Sequence, residues 1–262
     1  MSSSIAVDVG GTFTDLIHRD EGGGRVQVAK RPTIPDAPDE GVLRTLIEAL
    51  EPGEIEAADY FLHGTTVGLN ALLEGRGARV GLLATRGFRD VLEIRRGDRD
   101  DPYDLFWTPP APMVARHLRL PVSGRIRADG SEHEPLHGDD VRVALAELSS
   151  DGVTAIAVAF INAYANPAHE LEAERLLRAA GFDGHISLSH RVSGEYREYE
   201  RTTTTVIDAF VRDRMNSYLA RLQSGLRGHG FDGRCLIMRS GGGAMTFDEA
   251  TERSVETILS GP

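Results

Sequence analysis

The sequence is poor in cysteine and has no long apolar run. Cys235 is the one cysteine among 262 residues, so no disulfide can form within the chain, as is usual in a reducing compartment. No stretch approaches the roughly 18 uninterrupted apolar residues of a membrane span. The N-terminal residues also lack the basic and apolar regions of a secretory signal. We therefore expect a cytoplasmic protein without a membrane segment, with Cys235 in a buried strand over residues 234–239.

Basic residues are also scarce, with 29 Lys and Arg against 40 Asp and Glu and a formal net charge of −11. Because nucleic-acid binding needs a basic face, this charge argues against a nucleic-acid partner, and we expect none. His133 and His137 flank a predicted hairpin, and no histidine pair with zinc-ligand spacing lies on a predicted helix. No Gly-x-Ser-x-Gly sequence is present to support a serine nucleophile.

What the chain does have is an alternation of short apolar and amphipathic segments. Residues 5–9, 12–18 and 25–30 are separated by glycine-rich turns, which predicts a three-stranded antiparallel meander. From residue 36 onward, helical patterns alternate with apolar strands. One of these, residues 153–161, is apolar enough for a sheet covered on both faces. The pattern predicts an α/β fold with a mixed sheet.

Two other segments have distinct patterns. Residues 119–134 predict a hairpin about Asp129 and Gly130. Residues 97–113 are rich in Asp and Pro with interspersed aromatic residues, so we expect an irregular loop, long enough for a lid or a partner contact.

The most informative segment is residues 8–15, which read Asp8-Val9-Gly10-Gly11-Thr12-Phe13-Thr14-Asp15. We expect Gly10 and Gly11 to take positive φ and bring main-chain N–H groups close to an anion. Thr12 and Thr14 would add hydroxyl donors. Asp8, which a phosphate would repel, would act through Mg²⁺ and its waters. The alternative is a tight hairpin without a ligand. The segment has neither a Walker A ending nor a dinucleotide fingerprint.

Residues 8–15 resemble the first phosphate loop of the actin and sugar-kinase superfamily. Six further blocks, in order along almost the whole chain, are similar to hydantoinase A: residues 63–67, 70–74, 87–94, 164–167, 198–202 and 257–262. The chain therefore resembles the hydantoinase A and 5-oxoprolinase family. That family includes N-methylhydantoinases and the ATP-binding subunits of acetone and acetophenone carboxylases. One departure is Arg239-Ser240-Gly241-Gly242-Gly243, where the family usually has Gln-Ser-Asn-Gly-Gly.

The resemblance implies an α/β, ribonuclease H-like lobe of an actin-like ATPase. Residues 1–182 would form a hydantoinase A N-terminal domain, and residues 183–262 the start of a hydantoinase/oxoprolinase domain. A second lobe would carry a second Asp-x-Gly-Gly-Thr hairpin, which these 262 residues do not contain. Because one phosphate donor is worth roughly 10²–10³ in rate, we expect residues 1–262 alone to show little ATPase activity.

The resemblance also implies a function. Mg-ATP would phosphorylate the amide oxygen of a cyclic substrate, so that water could open the ring. A hydantoinase B type subunit would complete the reaction within an oligomer. Three alternatives stay open: the ATP-binding subunit of a ketone carboxylase, a small-molecule kinase, and a non-catalytic nucleotide-binding fragment.

The predicted site residues follow from these motifs. Asp8 is the predicted catalytic and metal-binding residue. The predicted nucleotide contacts are Gly10, Gly11, Thr12, Phe13, Thr14, Gly64, Thr65 and Thr66, and the predicted substrate contacts are His63, Arg239, Gly241 and Gly242. His63 could instead be a structural histidine, and Thr65 or Thr66 could simply cap a helix.

Two further groups have ambiguous roles. One is the charged cluster of Arg86, Arg89, Arg95, Arg96 and Arg99, which fits a solvated face or a substrate or subunit contact. The other is the threonine run at residues 202–205, which either packs against a helix or directs hydroxyls into a cleft.

Overall fold

The computed structural model describes residues 3–20 and 22–260, so Gly261 and Pro262 of the last motif lie outside it. The strands are β1 (Ser3–Val9), β2 (Phe13–Asp20), β3 (Arg25–Pro32), β4 (Tyr60–Thr65), β5 (Val80–Thr85), β6 (Arg119–Val122), β7 (Arg125–Ile126), β8 (Glu132–Glu134), β9 (Ala155–Ala159), β10 (His185–Leu188), β11 (Arg234–Met238) and β12 (Ala244–Thr246). The helices are α1 (Pro38–Ala49), α2 (Val67–Leu73), α3 (Val91–Ile94), α4 (Gly138–Ser150), α5 (Ala168–Ala179), α6 (Ser189–Val192), α7 (Glu198–Gly228) and α8 (Phe247–Glu252).

The chain forms two compact units. The first comprises Met1–Gly77 and Val211–Pro262, and the second Ala78–Phe210, so α7 contributes residues to both. The predicted division of the sequence at residues 182 and 183 concerns family segments rather than compact units, and it stays a prediction. Among the described residues, no helix has the length and apolar character needed to cross a membrane.

The first unit is built on a six-stranded mixed sheet in the order β12-β11-β4-β1-β2-β3. β2 pairs antiparallel with both β1 and β3, whereas β4 runs parallel to β1 and β11 runs parallel to β4. The predicted mixed sheet that begins in an antiparallel meander is thereby confirmed, and the strand order is that of a ribonuclease H-like lobe.

Alternation along β1 explains how the sheet presents polar residues at its edge. Ile5, Val7 and Val9 are buried, while Asp8 between them is exposed. Because successive side chains of a strand point to opposite faces, Asp8 lies on the face away from that apolar core. Cys235 lies in β11 as predicted but is only half-buried, and burial raises the pKa of its thiol to about 11. The thiol is therefore protonated at neutral pH.

The second unit contains a four-stranded parallel sheet in the order β10-β9-β5-β6. All residues of β5 and β9 are buried, as expected for strands covered on both faces. The apolar faces of α4 and α5, with Leu145, Leu148 and Leu177, belong to the same core. Residues 97–113 contain no helix or strand, in agreement with the predicted irregular loop.

The predicted hairpin over residues 119–134 is wrong in its extent. The turn at Gly130 exists, with φ 81° and a hydrogen bond from its N–H to the Arg127 carbonyl, but it joins only β7 and β8. Residues 119–122 instead form β6, the outer parallel strand beside β5. Arg119 is fully buried there because its guanidinium donates to the Val114 carbonyl and pairs with Glu93.

Candidate functional site

The carboxyl ends of three adjacent parallel strands meet at one edge of the first unit's sheet. β1 ends at Val9, β4 at Thr65 and β11 at Met238. The Gly10-Gly11 turn, the start of α2 and the glycine-rich turn at residues 240–243 therefore follow from the same edge. Ligands of open α/β sheets bind at this edge.

The Gly10-Gly11 turn is a four-residue hairpin turn with unused donors. The Gly10 N–H donates to the Phe13 carbonyl at 2.9 Å, and the Thr12 carbonyl accepts from the Thr33 N–H at 2.9 Å. Among the described residues, the main-chain N–H groups of Gly11 and Thr12 make no hydrogen bond, and both residues are exposed. Two adjacent free N–H groups at a strand end can receive an anion.

The expectation of positive φ at this turn is wrong. Neither Gly10 nor Gly11 is among the described glycines with positive φ, because the bond from the Gly10 N–H closes a turn that does not require it. A Cβ at Gly11 would meet no protein atom within 4 Å. The protein itself therefore does not require glycine at this position, and the open space beside Gly11 is available to a ligand.

Thr14 stabilises the turn from the interior of the first unit. It is fully buried, and its hydroxyl lies 3.1 Å from the Thr33 hydroxyl, which donates to the Gly10 carbonyl at 2.9 Å. This geometry directs the Thr14 hydroxyl toward Thr33 rather than toward solvent. A contact of Thr14 with a ligand stays a prediction. Thr12 and Phe13 are exposed, and the Lys30 ammonium lies 4.8 Å from the Phe13 ring centroid.

Asp8 faces a like charge and an open space. It is the cross-strand neighbour of Asp15 on β2 and of Gly64 on β4. Asp15 is paired with Lys30 at 2.9 Å, but Asp8 has no hydrogen bond or ion pair with any described residue. A Cβ at Gly64 would lie 2.6 Å from Asp8 Oδ1. Glycine at 64 thus leaves room for the Asp8 carboxylate.

The electrostatics of Asp8 favour a bound cation. Partial loss of hydration, and then the charge of Asp15, raise the pKa of Asp8 above its usual value. Among residues 3–20 and 22–260, no three His, Cys, Asp or Glu side chains are grouped as a metal cage. Mg²⁺ fits this donor set because it keeps several waters and is commonly held by one or two carboxylates together with substrate phosphates.

His63 lies in the core of the first unit, and its contact with a substrate stays a prediction. Its ring is fully buried, Nδ1 donates to the Val7 carbonyl at 3.1 Å, and Nε2 accepts from the Tyr218 hydroxyl at 2.6 Å. Burial lowers the pKa of His63 to about 4. The ring is therefore neutral at physiological pH, and its burial and bonding favour the interpretation of His63 as a structural histidine.

The hydroxyl groups of Thr65 and Thr66 make hydrogen bonds at the start of α2. The Thr65 hydroxyl accepts from the Val67 N–H at 3.2 Å, whereas Thr66 makes no side-chain cap. The Thr66 hydroxyl donates to the Val9 carbonyl at 3.2 Å and accepts from Asn70 at 3.3 Å. Thr65 thus binds the first N–H of α2 from the position before the N-cap, and Thr66 ties the end of β1 to α2.

A cavity of about 340 Å³ lies beside the glycine turn. Its wall includes Gly10, Gly11, Thr33, Thr66, Asn70 and Arg214. The Arg214 side chain, on α7, makes no hydrogen bond or ion pair within the described part of the chain. Sequence reasoning missed Thr33 and Arg214, because neither belongs to a recognisable motif and both reach the turn only through the fold.

The turn at residues 240–243 is exposed, but the preceding Arg239 already has an ion-pair partner. Gly242 and Gly243 have φ of 90° and 78°, which favours glycine. The Arg239 guanidinium pairs with Glu256 at 2.7 Å, and the Ser240 hydroxyl donates to the Glu256 carbonyl at 2.8 Å. Contacts of Arg239, Gly241 and Gly242 with a substrate stay a prediction.

The first unit is thus a ribonuclease H-like lobe in which, among the described residues, a carboxylate and two N–H donors without protein partners lie at the carboxyl edge of the sheet. The chain belongs to the hydantoinase/oxoprolinase family. The model of the hydantoinase/oxoprolinase N-terminal region matches residues 4–181, and the hydantoinase/oxoprolinase model matches residues 201–262. The predicted family membership is confirmed.

Several curated relatives are similar over nearly the whole chain. The caprolactamase subunit alpha of Pseudomonas jessenii is 38% identical over 266 residues, which is 98% of this chain and 38% of the relative. The acetophenone carboxylase gamma subunit of Aromatoleum aromaticum is 34% identical, over 92% of this chain and 35% of its own length. The 5-oxoprolinase of Saccharomyces cerevisiae is 30% identical, over 98% of this chain and 23% of its own.

Two solved structures share the fold. The crystal structure of ATP-dependent caprolactamase from Pseudomonas jessenii matches with a TM-score of 0.88 and 38% identity, over 99% of this chain and 38% of that one. Nucleotide-free acetone carboxylase matches with a TM-score of 0.87 at 23% identity, over 99% and 39% of the two chains, and shows the fold alone. The chain therefore spans less than half the length of the relatives it matches.

Proposed function

We propose that this chain is the nucleotide-binding part of an ATP-dependent enzyme that activates a cyclic amide by phosphorylating its carbonyl oxygen. The observation that carries the proposal is the unpartnered Asp8 carboxylate beside the free N–H groups of Gly11 and Thr12. The Asp8 carboxylate, which lies across from Asp15, is complementary to a cation. The two N–H donors are complementary to the polyphosphate that such a cation would accompany. A hairpin without a ligand would not need either feature.

Each residue at the edge then has a defined task. The N–H groups of Gly11 and Thr12 donate to phosphate oxygens, and the Thr12 hydroxyl is exposed for the same use. Asp8 would hold Mg²⁺ through its waters, and the ion would supply neutralisation of phosphate charge. Gly64 leaves space for Asp8, while Thr14, Thr65 and Thr66 hold the surrounding main chain. Arg214 adds a positive charge to the wall of the adjacent cavity.

The named activities of the relatives support cyclic amides as substrates. Caprolactamase and 5-oxoprolinase are relatives at 38% and 30% identity. Phosphorylation of the amide oxygen makes the amide carbon more electrophilic, so water can add to it. The C–N bond then breaks, the ring nitrogen leaves as the amine with a proton from the added water, and the acyl phosphate that remains is hydrolysed to a carboxylate and phosphate. We further propose that a hydantoinase B type subunit completes the reaction and that the assembly works in the cytoplasm.

Binding of Mg-ATP tests the proposal directly. A fluorescent ATP analogue titrated into the protein should bind with Mg²⁺ and at least about 100-fold more weakly with EDTA. Asp8→Asn should abolish this dependence, since it removes the carboxylate that faces the metal waters. Asp139→Asn is the matched control, because the Asp139 side chain is 93% exposed in the other unit. Binding unaffected by both Mg²⁺ and Asp8→Asn would disprove the assignment.

A ketone carboxylase is the second candidate, favoured by the 34% identity to the acetophenone carboxylase gamma subunit. In that case the phosphorylated group would be an enol rather than an amide. Phosphate release by the full-length protein with its partner subunit separates the two. Stimulation by 5-oxoproline, hydantoins or lactams supports the hydrolase, and stimulation by ketones together with bicarbonate supports the carboxylase.

A further inference from the structure

We propose that a small cavity within the second unit binds a small apolar carboxylate. The cavity has a volume of about 160 Å³ and lies between α3, residues 110–113 and the first turns of α7. Its apolar wall includes Leu92, Pro110, Met113 and Val206. Three polar side chains complete it: Arg95, Tyr199 and Thr203. None of these residues takes part in the nucleotide site proposed above.

The Thr203 hydroxyl is buried without a partner. Its Oγ1 has no hydrogen bond within the described residues. The next two threonines of α7 behave differently, since Thr204 donates to the Glu200 carbonyl at 2.8 Å and Thr205 to the Arg201 carbonyl at 2.6 Å. Buried hydroxyl groups nearly always have a partner, so Thr203 is an exception among the residues that line the cavity. The threonine run is thereby divided between main-chain bonding and a cavity.

Arg95 has an unusual backbone and an unused guanidinium. Its φ is 56° with ψ −129°, a conformation that glycine adopts far more easily than arginine. Its side chain makes no ion pair or hydrogen bond within the described residues, whereas the neighbouring Arg96 pairs with Glu200. Backbone strain of this kind concentrates at functional sites. The Arg95 guanidinium is thus available to an anion at the cavity wall.

The lining defines the chemistry of the ligand. A guanidinium recognises a carboxylate through paired hydrogen bonds, and the Thr203 hydroxyl can donate to an acceptor of the same group. The remaining wall suits an apolar body. Because the volume corresponds to about five water molecules of the liquid, that body is limited to a few carbon atoms. Isovalerate has this shape and charge, and isovaleramide is its uncharged counterpart.

Ligand-observed saturation-transfer NMR on the full chain tests the proposal. Isovalerate should show saturable binding with a Kd in the millimolar range, in reach of a ligand of about seven heavy atoms, and isovaleramide should bind at least tenfold more weakly. Arg95→Gly should weaken isovalerate binding at least tenfold without lowering the urea midpoint, because glycine accepts the same φ. Thr203→Val should weaken it severalfold, and Thr204→Val, whose hydroxyl bonds to the main chain, should leave it unchanged.

The opposing results are equally concrete. The absence of saturable isovalerate binding in the folded chain would overturn the proposal. So would equal affinity for isovalerate and isovaleramide, because the guanidinium would then have no role. Unchanged binding by both Arg95→Gly and Thr203→Val would place the isovalerate elsewhere. Circular dichroism of each variant establishes that it is folded, and the two variants lie on different parts of the chain, Arg95 directly after α3 and Thr203 within α7.

Discussion

Two sets of motif residues differ in how completely they are bonded: those around Arg201 in the second unit and those around Asp8 in the first. Arg201 is fully buried, yet its guanidinium donates to the Ser189 hydroxyl at 3.0 Å and the Phe160 carbonyl at 3.0 Å and pairs with Glu198. Asp8 is exposed and has no such partner among the described residues. Both belong to the family motifs, but only one is available to a ligand.

The carboxylate of Glu170 shows how thoroughly the buried network is satisfied. Glu170 is fully buried, and it accepts from the Phe160 N–H at 3.0 Å, the Ser189 hydroxyl at 2.5 Å and the His190 N–H at 3.0 Å. A buried charge is tolerated only when it is paired and hydrogen-bonded. The block at residues 198–202 is thus bonded into a buried network of the second unit, whereas the block at residues 8–15 includes groups that have no partner among the described residues.

Removal of Arg201 is the strongest way to test this comparison. Arg201→Met should lower the free energy of unfolding by about 3–5 kcal/mol, because Glu198 and the Phe160 carbonyl lose their buried partner. Urea unfolding followed by circular dichroism measures the change. Arg175→Met is the control, since its pair with Glu172 is exposed and should be worth less than about 0.5 kcal/mol. Similar losses in both variants would contradict a special role for the buried network.

The pH dependence of stability tests the partnered histidine of the first unit. Burial lowers the pKa of His63 from 6.5 to about 4, so the unfolded chain takes up this proton before the folded one does. The stability associated with neutral His63 is fully present above pH 6.5 and is lost as the pH falls to about 4. The loss should reach about 3 kcal/mol, since one pKa unit corresponds to about 1.4 kcal/mol.

Urea titrations at several pH values measure this dependence. His63→Gln removes the titrating group, so its free energy of unfolding should fall less steeply over the same range. The same slope in the variant and in the unchanged protein would show that His63 is not held neutral by its surroundings.

A side chain added at Gly11 would enter the open space beside the turn without contacting another protein atom. Gly11→Ala should change the free energy of unfolding by less than about 0.5 kcal/mol, because no atom lies within 4 Å of the new Cβ and φ is not positive. The methyl group would occupy the space beside the free N–H donors, so Mg-ATP should bind about tenfold more weakly, or about 1.4 kcal/mol. Gly228→Ala is the matched control, since its Cβ would also meet nothing. Undiminished Mg-ATP affinity in Gly11→Ala would show that the ligand does not approach this turn.

The sequence predicts the frame of the fold because the frame depends on local patterns. Alternation of buried Ile5, Val7 and Val9 marks β1, and the uninterrupted apolar run marks β9. The extent of the hairpin after Arg119 could not be predicted, because that residue is buried through contacts with Val114 and Glu93 rather than through an apolar pattern.

The orientation of the site residues depends on partners that are distant in sequence. Tyr218, which bonds His63, is 155 residues away, and Thr33, which bonds Thr14, is 19 residues away. Neither partner has a motif of its own. The sequence alone therefore places His63 and Thr14 near the site but does not show in which direction their side chains point. For Asp8, the decisive fact is the absence of a partner among the described residues, which only the fold reveals.

The smallest expected effect concerns the stability contribution of Asp8 itself. Its pKa is raised, so the protonated form is favoured by folding and stabilises the fold at low pH. This stability is lost as the pH rises through the raised pKa, and at neutral pH the charged carboxylate opposes folding beside Asp15. Asp8→Asn should therefore increase the free energy of unfolding by about 0.3 kcal/mol at pH 7 in EDTA, a small gain because Asp8 is largely hydrated. The gain should vanish near pH 3, about where carboxylates become protonated. A loss of stability at pH 7 would mean that Asp8 has a bonding partner in the folded protein, and the contrast with Arg201 would no longer hold.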